Sequence, residues 1–223
     1  MKQNIYDHPE FFHQYQKLRQ ASYNFNNLLE QPALKSLLPN LTDLQILDIG
    51  CGMGEFAYYC IENNARHVTA IDVSKNMLAI AQREHAHQNI DYYLQAIEDF
   101  RAVIRNIASM LRPGSLFIFS VEHPIVTARK TMEDNWIYDS SGRRSHYAMD
   151  HYHDEGIRER TWFVDGVVKY HRSMSTIINT LIAYDLTIEK MLEPLPDSEA
   201  IPKLPSLEKE HRRPSFLLIR ARK

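Results

Sequence analysis

The stretch Gln45-Ile-Leu-Asp-Ile-Gly-Cys-Gly-Met-Gly-Glu-Phe56 constrains the chain more than any other, because an apolar run stops at an acid and opens into three alternating glycines. Gln45 to Ile49 alternates β-branched and aliphatic residues as a parallel strand buried on both faces does. Gly50, Gly52 and Gly54 let the backbone turn sharply and approach a ligand with no Cβ in the way. Glu55 to Glu62, with Phe56, Ala57, Tyr59 and Cys60, continues as a helix whose N-terminal amides face the same crevice. His67-Val-Thr-Ala-Ile-Asp72 is then a second apolar strand ending in an acid, 18 positions after Gly54. That is close to the offset of about 20 residues expected for a carboxylate that accepts from ribose hydroxyls.

Ahead of this unit, residues 9–30 place Phe11, Phe12, Tyr15, Leu18, Tyr23, Leu28 and Leu29 at helical spacing, and a further helix is expected from Pro32 to Leu38. Behind it, Ser74 is a candidate cap for a helix over 75–85, and Ile90 to Gln95 supplies a third strand. An amphipathic helix over 100–111 ends at Arg112-Pro-Gly114, and Ser115 to Val121 is another buried strand followed by Glu122-His123-Pro124. Residues 125–165 are polar and aromatic with no strong period, so an inserted lid or substrate-facing segment is expected there. A helix over 173–184, strands over 186–193 and 215–221, and a long exposed proline-rich loop over 194–214 complete the chain. Repeated β-α units imply a doubly wound α/β sheet, mostly parallel and Rossmann-like, with right-handed crossovers and helices on both faces.

With 223 residues and 44% hydrophobic content, one full core and a single domain over 1–223 are expected. Lys+Arg 26 against Asp+Glu 28 provides no global basic field for nucleic acid. Cys51 and Cys60 form no metal or redox pattern and read as reduced thiols. No apolar N-terminal region or membrane-length run is present in the sequence, so a soluble, cytoplasmic protein is expected. His146, His151 and His153 with Asp150 and Asp154 resemble metal ligands by type, but their spacing matches no site, and no metal is expected.

Leu47-Asp-Ile-Gly-Cys-Gly-Met-Gly54, Asp72-Val73-Ser74, Leu111-Arg-Pro-Gly114 and the terminal strand pair resemble the class I S-adenosylmethionine-dependent methyltransferases over nearly the whole chain. Glu122-His123-Pro124 and Lys169-Tyr-His-Arg172 are similar to segments of small bacterial members. A dinucleotide fingerprint would place its third glycine at position 55, where this chain has Glu55. The resemblance implies S-adenosyl-L-methionine as cofactor. The backbone of Gly50, Cys51, Gly52 and Gly54 would contact its methionine part, and Asp48 would orient its amino group through water. Asp72 would hold the ribose, Val73 and Met77 would pack on adenine, and Ile97 and Glu98 would lie at its edge. Tyr15 or Arg19 would reach its carboxylate. Two acids at buried strand ends are costly without such a role, whereas Val73 and Met77 also serve as plain core.

The resemblance further implies a seven-stranded sheet in the order 3-2-1-4-5-7-6, yet residues 96–99 leave no room for a fourth strand. About 30 residues, one β-α unit, are missing relative to the family. Strand 115–121 is therefore expected beside strand 45–49, in a six-stranded sheet ordered 3-2-1-5-7-6. The crossover would have to reach past two strands, roughly 10 Å, with four residues that extend to about 13 Å.

Methyl transfer from a sulfonium is an in-line displacement that needs positioning, exclusion of water and a deprotonated acceptor. His123, at the carboxyl end of a strand, and His171, beside Tyr170, are the candidate bases or substrate contacts; a hydrogen-bonded structural role is the competing expectation for each. Trp136, Tyr138 and Tyr152 could wall a small-molecule pocket or pack the lid onto the sheet. Three functions follow: a methyltransferase acting on a small molecule, a binding or regulatory protein that kept the fold without turnover, and a tRNA methyltransferase using Arg143, Arg144, Arg158 and Arg160. Nothing in the sequence sets the oligomeric state.

Overall fold

The computed structural model describes residues 3–96, 99–132 and 135–223. In chain order its regular elements begin with α1 (Pro9–Gln20), α2 (Gln31–Ser36), β1 (Gln45–Ile49), α3 (Glu55–Glu62), β2 (His67–Asp72), α4 (Lys75–Glu84), β3 (Ile90–Leu94) and α5 (Phe100–Met110). They continue with β4 (Leu116–Glu122), α6 (Pro124–Thr127), β5 (Trp136–Tyr138), β6 (Arg144–Tyr147), β7 (Gly156–Trp162), β8 (Val164–His171), α7 (Met174–Ala183), β9 (Thr187–Leu192), α8 (Ala200–Lys203) and β10 (Phe216–Arg222). The chain divides into two compact units, residues 1–16 with 38–103, and residues 17–37 with 104–223.

The first unit is a three-stranded parallel sheet in the order β1-β2-β3, with Asp48 opposite Ala70 and Asp72 opposite Leu94. Its core joins Leu41, Ala57, Cys60, Val68, Ala70, Leu78 and Ile90, so α3, α4 and the strands share one apolar contact region. The turn into α3 depends on Gly54, which has a left-handed φ of 85°. A Cβ there would stand 2.5 Å from Tyr92 Oη and 2.9 Å from Ala81 Cβ. Gly54→Ala therefore combines backbone strain with a clash that displaces the Tyr92 hydroxyl from the His85 carbonyl it donates to at 3.1 Å. It is expected to lower stability by about 2–4 kcal/mol, read as a fall in the urea midpoint at unchanged slope.

The second unit holds a sheet in the order β4-β10-β9, with β10 antiparallel to both neighbours. Leu217, Leu218, Ile219 and Ala221 of β10 are fully buried, as a central strand requires. β5 and β6 form an antiparallel hairpin, and β7 and β8 a two-stranded ribbon. Residues 194–214, expected as an exposed loop, instead carry α8 and a 3-10 segment, Pro205–His211. Ala200 and Leu207 anchor it in a cluster with Leu29, Phe25 and Phe216, because its apolar residues recur often enough to bury one side.

The orders 3-2-1 and 5-7-6 are both present, as β3-β2-β1 and β4-β10-β9, but in two sheets rather than one six-stranded sheet. Among the described residues β1 has one ladder partner, β2, and β4 has one, β10. Leu47 is 42% exposed in a strand whose sequence reads as doubly buried.

Candidate functional site

The loop after β1 is built from β2. The Gly50 and Cys51 amides donate to the Ile71 carbonyl at 2.8 and 3.0 Å, which sets the turn directly above the β1-β2 ladder. Asp72, 7% exposed, then fixes the loop from the end of β2: its Oδ2 accepts from the Gly52 amide and its Oδ1 from the Ser74 amide, each at 2.8 Å. Gly50 and Gly52 have left-handed φ values of 80° and 54°, with nothing within 4 Å of where a Cβ would stand. Open space therefore lies over the two glycines, while Gly54 behind them is tightly packed. Cys51 is buried, and its thiol is pushed up by burial and by the fields of Asp48 and Asp72, so it is an unreactive neutral group.

Asp48 stands at the carboxyl end of β1, near enough to Asp72 on the neighbouring strand to feel its charge. Its Oδ2 is covered and has no hydrogen-bond partner. Burial, with the negative field of Asp72 added, pushes its carboxyl up to about 7. Two acids thus have opposite surroundings: Asp72 is anchored by amides and Asp48 is stranded without a cation.

Ser74 caps α4 by accepting from the Met77 amide at 3.1 Å. Met77, 3% exposed, packs with Met53 and Ile80 against Tyr6, Phe12 and Tyr15, which brings the expected Tyr15 and Met77 together beside the loop residue Met53. Val73 is half-buried, and its carbonyl accepts from Asn4 Nδ2 at 3.0 Å. Arg19 belongs to the second unit. Ile97 and Glu98 lie outside the described residues.

Asn4 and Asp7 were not singled out by sequence. Asp7 Oδ1 accepts from Ser74 Oγ at 2.6 Å and from the Asn76 amide at 3.1 Å, strapping the N-terminal segment over the start of α4. Partial burial raises its carboxyl, but the hydrogen bonds from Ser74, Asn76 and Lys75 outweigh that and hold it low. The signal in the sequence was the pair of short polar side chains just before Pro9, a composition typical of turns and caps.

His123 and His171 are in the second unit, 3% and 1% exposed. His123 Nδ1 accepts from the Ile125 amide at 3.2 Å, which assigns the proton to Nε2, bonded to Glu193 Oε1 at 2.8 Å. His171 Nε2 donates to the Tyr152 carbonyl at 2.9 Å, leaving Nδ1 to accept from Thr127 Oγ1 at 2.8 Å. Burial lowers the pKa of both rings, so they are neutral with both nitrogens engaged. Of the four arginines considered for RNA, three are engaged within the protein. Arg158 is buried against the carbonyls of Ala128, Asp154 and Ile157, Arg143 is paired with Asp139, and Arg144 stacks on Trp136. Among the described residues no helix is long and apolar enough to cross a membrane.

A family profile described as a methyltransferase domain matches residues 46–103, the glycine loop and both acids included. The structure resembles that of an S-adenosylmethionine-dependent methyltransferase from Mesorhizobium loti, with a TM-score of 0.78 and 35% identity over 87% of this chain and 97% of that one. An uncharacterised protein of Haemophilus influenzae is 32% identical over 254 positions, covering 100% of this chain and 98% of its own length. Since this chain has 223 residues, 254 less 223 leaves at least 31 aligned positions with no residue here. That matches the missing β-α unit in size. A malonyl-[acyl-carrier protein] O-methyltransferase of Pectobacterium atrosepticum is 45% identical over 62 residues, 28% of this chain and 23% of that protein.

Proposed function

The chain belongs to the S-adenosylmethionine-dependent methyltransferases, and from that premise we propose that it transfers the methyl group to a small-molecule acceptor, with residues 48–54, 72–77 and Tyr15 holding the cofactor. One observation carries the cofactor assignment: Asp48 has a covered, unpartnered carboxylate oxygen next to a glycine loop with open space above it. A cofactor with a cationic methionine end and a ribose fits this pair of acids. The positive end meets Asp48, and the hydroxyls meet the lone pairs that Asp72 has left after accepting two amides.

When bound, the cofactor supplies an electrophilic methyl on a positively charged sulfur. The chain's own residues supply position and shelter. Gly50 and Gly52 keep Cβ atoms out of the approach, Asp48 balances positive charge, Asp72 holds both loop and sugar, and Met53, Met77 and Tyr15 give an apolar wall. A partial match to a ubiquinone biosynthesis O-methyltransferase, 33% identical over 101 residues, supports a small-molecule acceptor. Segment 125–165 is assigned to the acceptor side. For His123 and His171 the engaged ring nitrogens favour positioning of that segment over proton removal.

Titration calorimetry with S-adenosylhomocysteine, followed by incubation with methyl-labelled cofactor and a cell extract, tests the proposal. Micromolar binding is expected, with label entering the small-molecule fraction. Absence of binding at millimolar ligand would remove the cofactor assignment. Binding without label transfer would favour a non-catalytic binding protein, and label in RNA would favour the tRNA reading.

A further inference from the structure

Three successive elements of the first unit reach the loop after β1. β2 supplies Asp72, whose Oδ2 accepts from the Gly52 amide. α4 supplies His85, which follows Glu84 and leaves the helix with φ −128° and ψ 31°. Its Nδ1 is 2.8 Å from the Met53 carbonyl oxygen. A carbonyl oxygen only accepts, so this contact assigns the proton to Nδ1, which donates. β3 supplies Tyr92, whose Oη donates to the His85 carbonyl at 3.1 Å. Burial pushes that hydroxyl up to about 12, so it remains a donor.

These bonds fix one peptide group in particular. The Met53 carbonyl is held by His85, and the Gly54 amide donates to the Cys51 carbonyl at 3.0 Å, so the peptide between Met53 and Gly54 is gripped at both polar ends. Gly52 and Gly54, on either side of Met53, have left-handed φ values of 54° and 85°. Glycine loses more backbone freedom on ordering than any other residue, so a loop built on glycines turns its peptide planes readily unless each plane is tied. Asp72 ties the plane that ends at the Gly52 amide, and His85 ties the one that begins at the Met53 carbonyl. The anchor is itself placed: the His85 amide donates to the Ala81 carbonyl at 2.8 Å, and its half-buried ring lies 5.5 Å from the ring of Tyr58.

We propose that His85 is a positioning residue for the cofactor loop. By holding the Met53 carbonyl it orders the glycines before the ligand arrives, and it thereby strengthens binding of the methionine half of the cofactor through the loop backbone. Ordering a loop in its bound form raises affinity by removing that cost from the binding step. Which half of the ligand gains rests on the S-adenosylmethionine reading; the anchoring of the loop by His85 does not.

Calorimetry on the full chain with S-adenosylhomocysteine and with adenosine, which lacks the amino-acid part, tests the proposal together with hydrogen exchange over residues 50–56. His85→Phe keeps a flat ring beside Tyr58 and removes the donor. It is expected to weaken S-adenosylhomocysteine binding about 5- to 10-fold, the worth of one neutral hydrogen bond, and to leave adenosine binding within about twofold. Exchange over 50–56 in the ligand-free chain should become faster. His85→Asn presents an amide nitrogen near the place of Nδ1 and is expected to restore both the affinity and the exchange rate. Equal losses for the two ligands, wild-type affinity and exchange in His85→Phe, or an asparagine variant no better than the phenylalanine one would overturn the proposal. A wild-type chain that binds neither ligand would refute the cofactor reading, and the exchange rates of the wild type and both variants would then decide the anchoring alone: faster in His85→Phe and restored in His85→Asn supports it, and no change overturns it.

Discussion

Asp72→Ala is expected to weaken S-adenosylhomocysteine binding about 100-fold or more and to lower stability by about 2–4 kcal/mol at the same time. Both effects come from one carboxylate with two duties. In the protein it accepts from the Gly52 and Ser74 amides, so its removal strands two amides, one of them in the buried turn between β2 and α4. Each orphaned donor costs on the order of 1–3 kcal/mol. Toward the cofactor it provides the remaining carboxylate lone pairs, and hydrogen bonds to a charged acceptor are each worth roughly 1.5–3 kcal/mol. Asp72→Asn should separate the duties: the side chain can still accept once, from an amide, but it presents no charge to the ribose. Calorimetry and urea unfolding on the two variants give the comparison. An alanine variant that binds within threefold of wild type would show that the ribose is held elsewhere.

Much of the first unit was legible because its signals are local. β2 has the bounds read from sequence, Ser74 is the helix cap, and the glycines have the left-handed backbone that their positions imply. The opposite holds for residues 125–165. Secondary structure was hidden there because β7 buries Arg158, half-buries Arg160 and exposes Ile157, so hydrophobic alternation has the wrong sign. Periodicity detects strands by their apolar face, and a strand whose covered face is cationic has none. β5 and β6 are three and four residues long, too short for any period. Their hairpin is held by Arg212, which donates to the carbonyls of Arg144 and Ser145 at 2.8 and 2.6 Å from 67 positions and more away. Among the described residues β1 has a ladder partner on one side only, β2. The strand's composition records a fold in which both sides are covered, while the chain is shorter than its full-length relative by about one β-α unit.

Cofactor affinity is expected to rise about tenfold per pH unit between pH 5.5 and 7 and to flatten above it. The carboxyl of Asp48 is pushed up to about 7 by burial first and by Asp72 second, so below that pH most of the ligand-free protein has Asp48 protonated. A cationic ligand favours the ionised form, and near pH 6 its binding must release close to one proton. Calorimetry in buffers of different ionisation enthalpy measures that proton directly. The sign for stability is the reverse. Because the folded-state pKa is raised above the ordinary 3.8, the stabilisation belongs to the protonated form and is lost as pH rises from about 4 through 7. Asp48→Asn keeps the shape and removes the titration, so this variant should be more stable than wild type at pH 8, where wild type buries a charge with no partner. It should also bind S-adenosylhomocysteine weakly and with no slope over pH 5.5–7. A variant that is stabilised and still binds with the wild-type slope would place the cation-balancing group elsewhere. The two curves together distinguish a carboxylate retained for a ligand from one retained for the fold: only the former makes the protein less stable without its ligand in the pH range where it binds that ligand best.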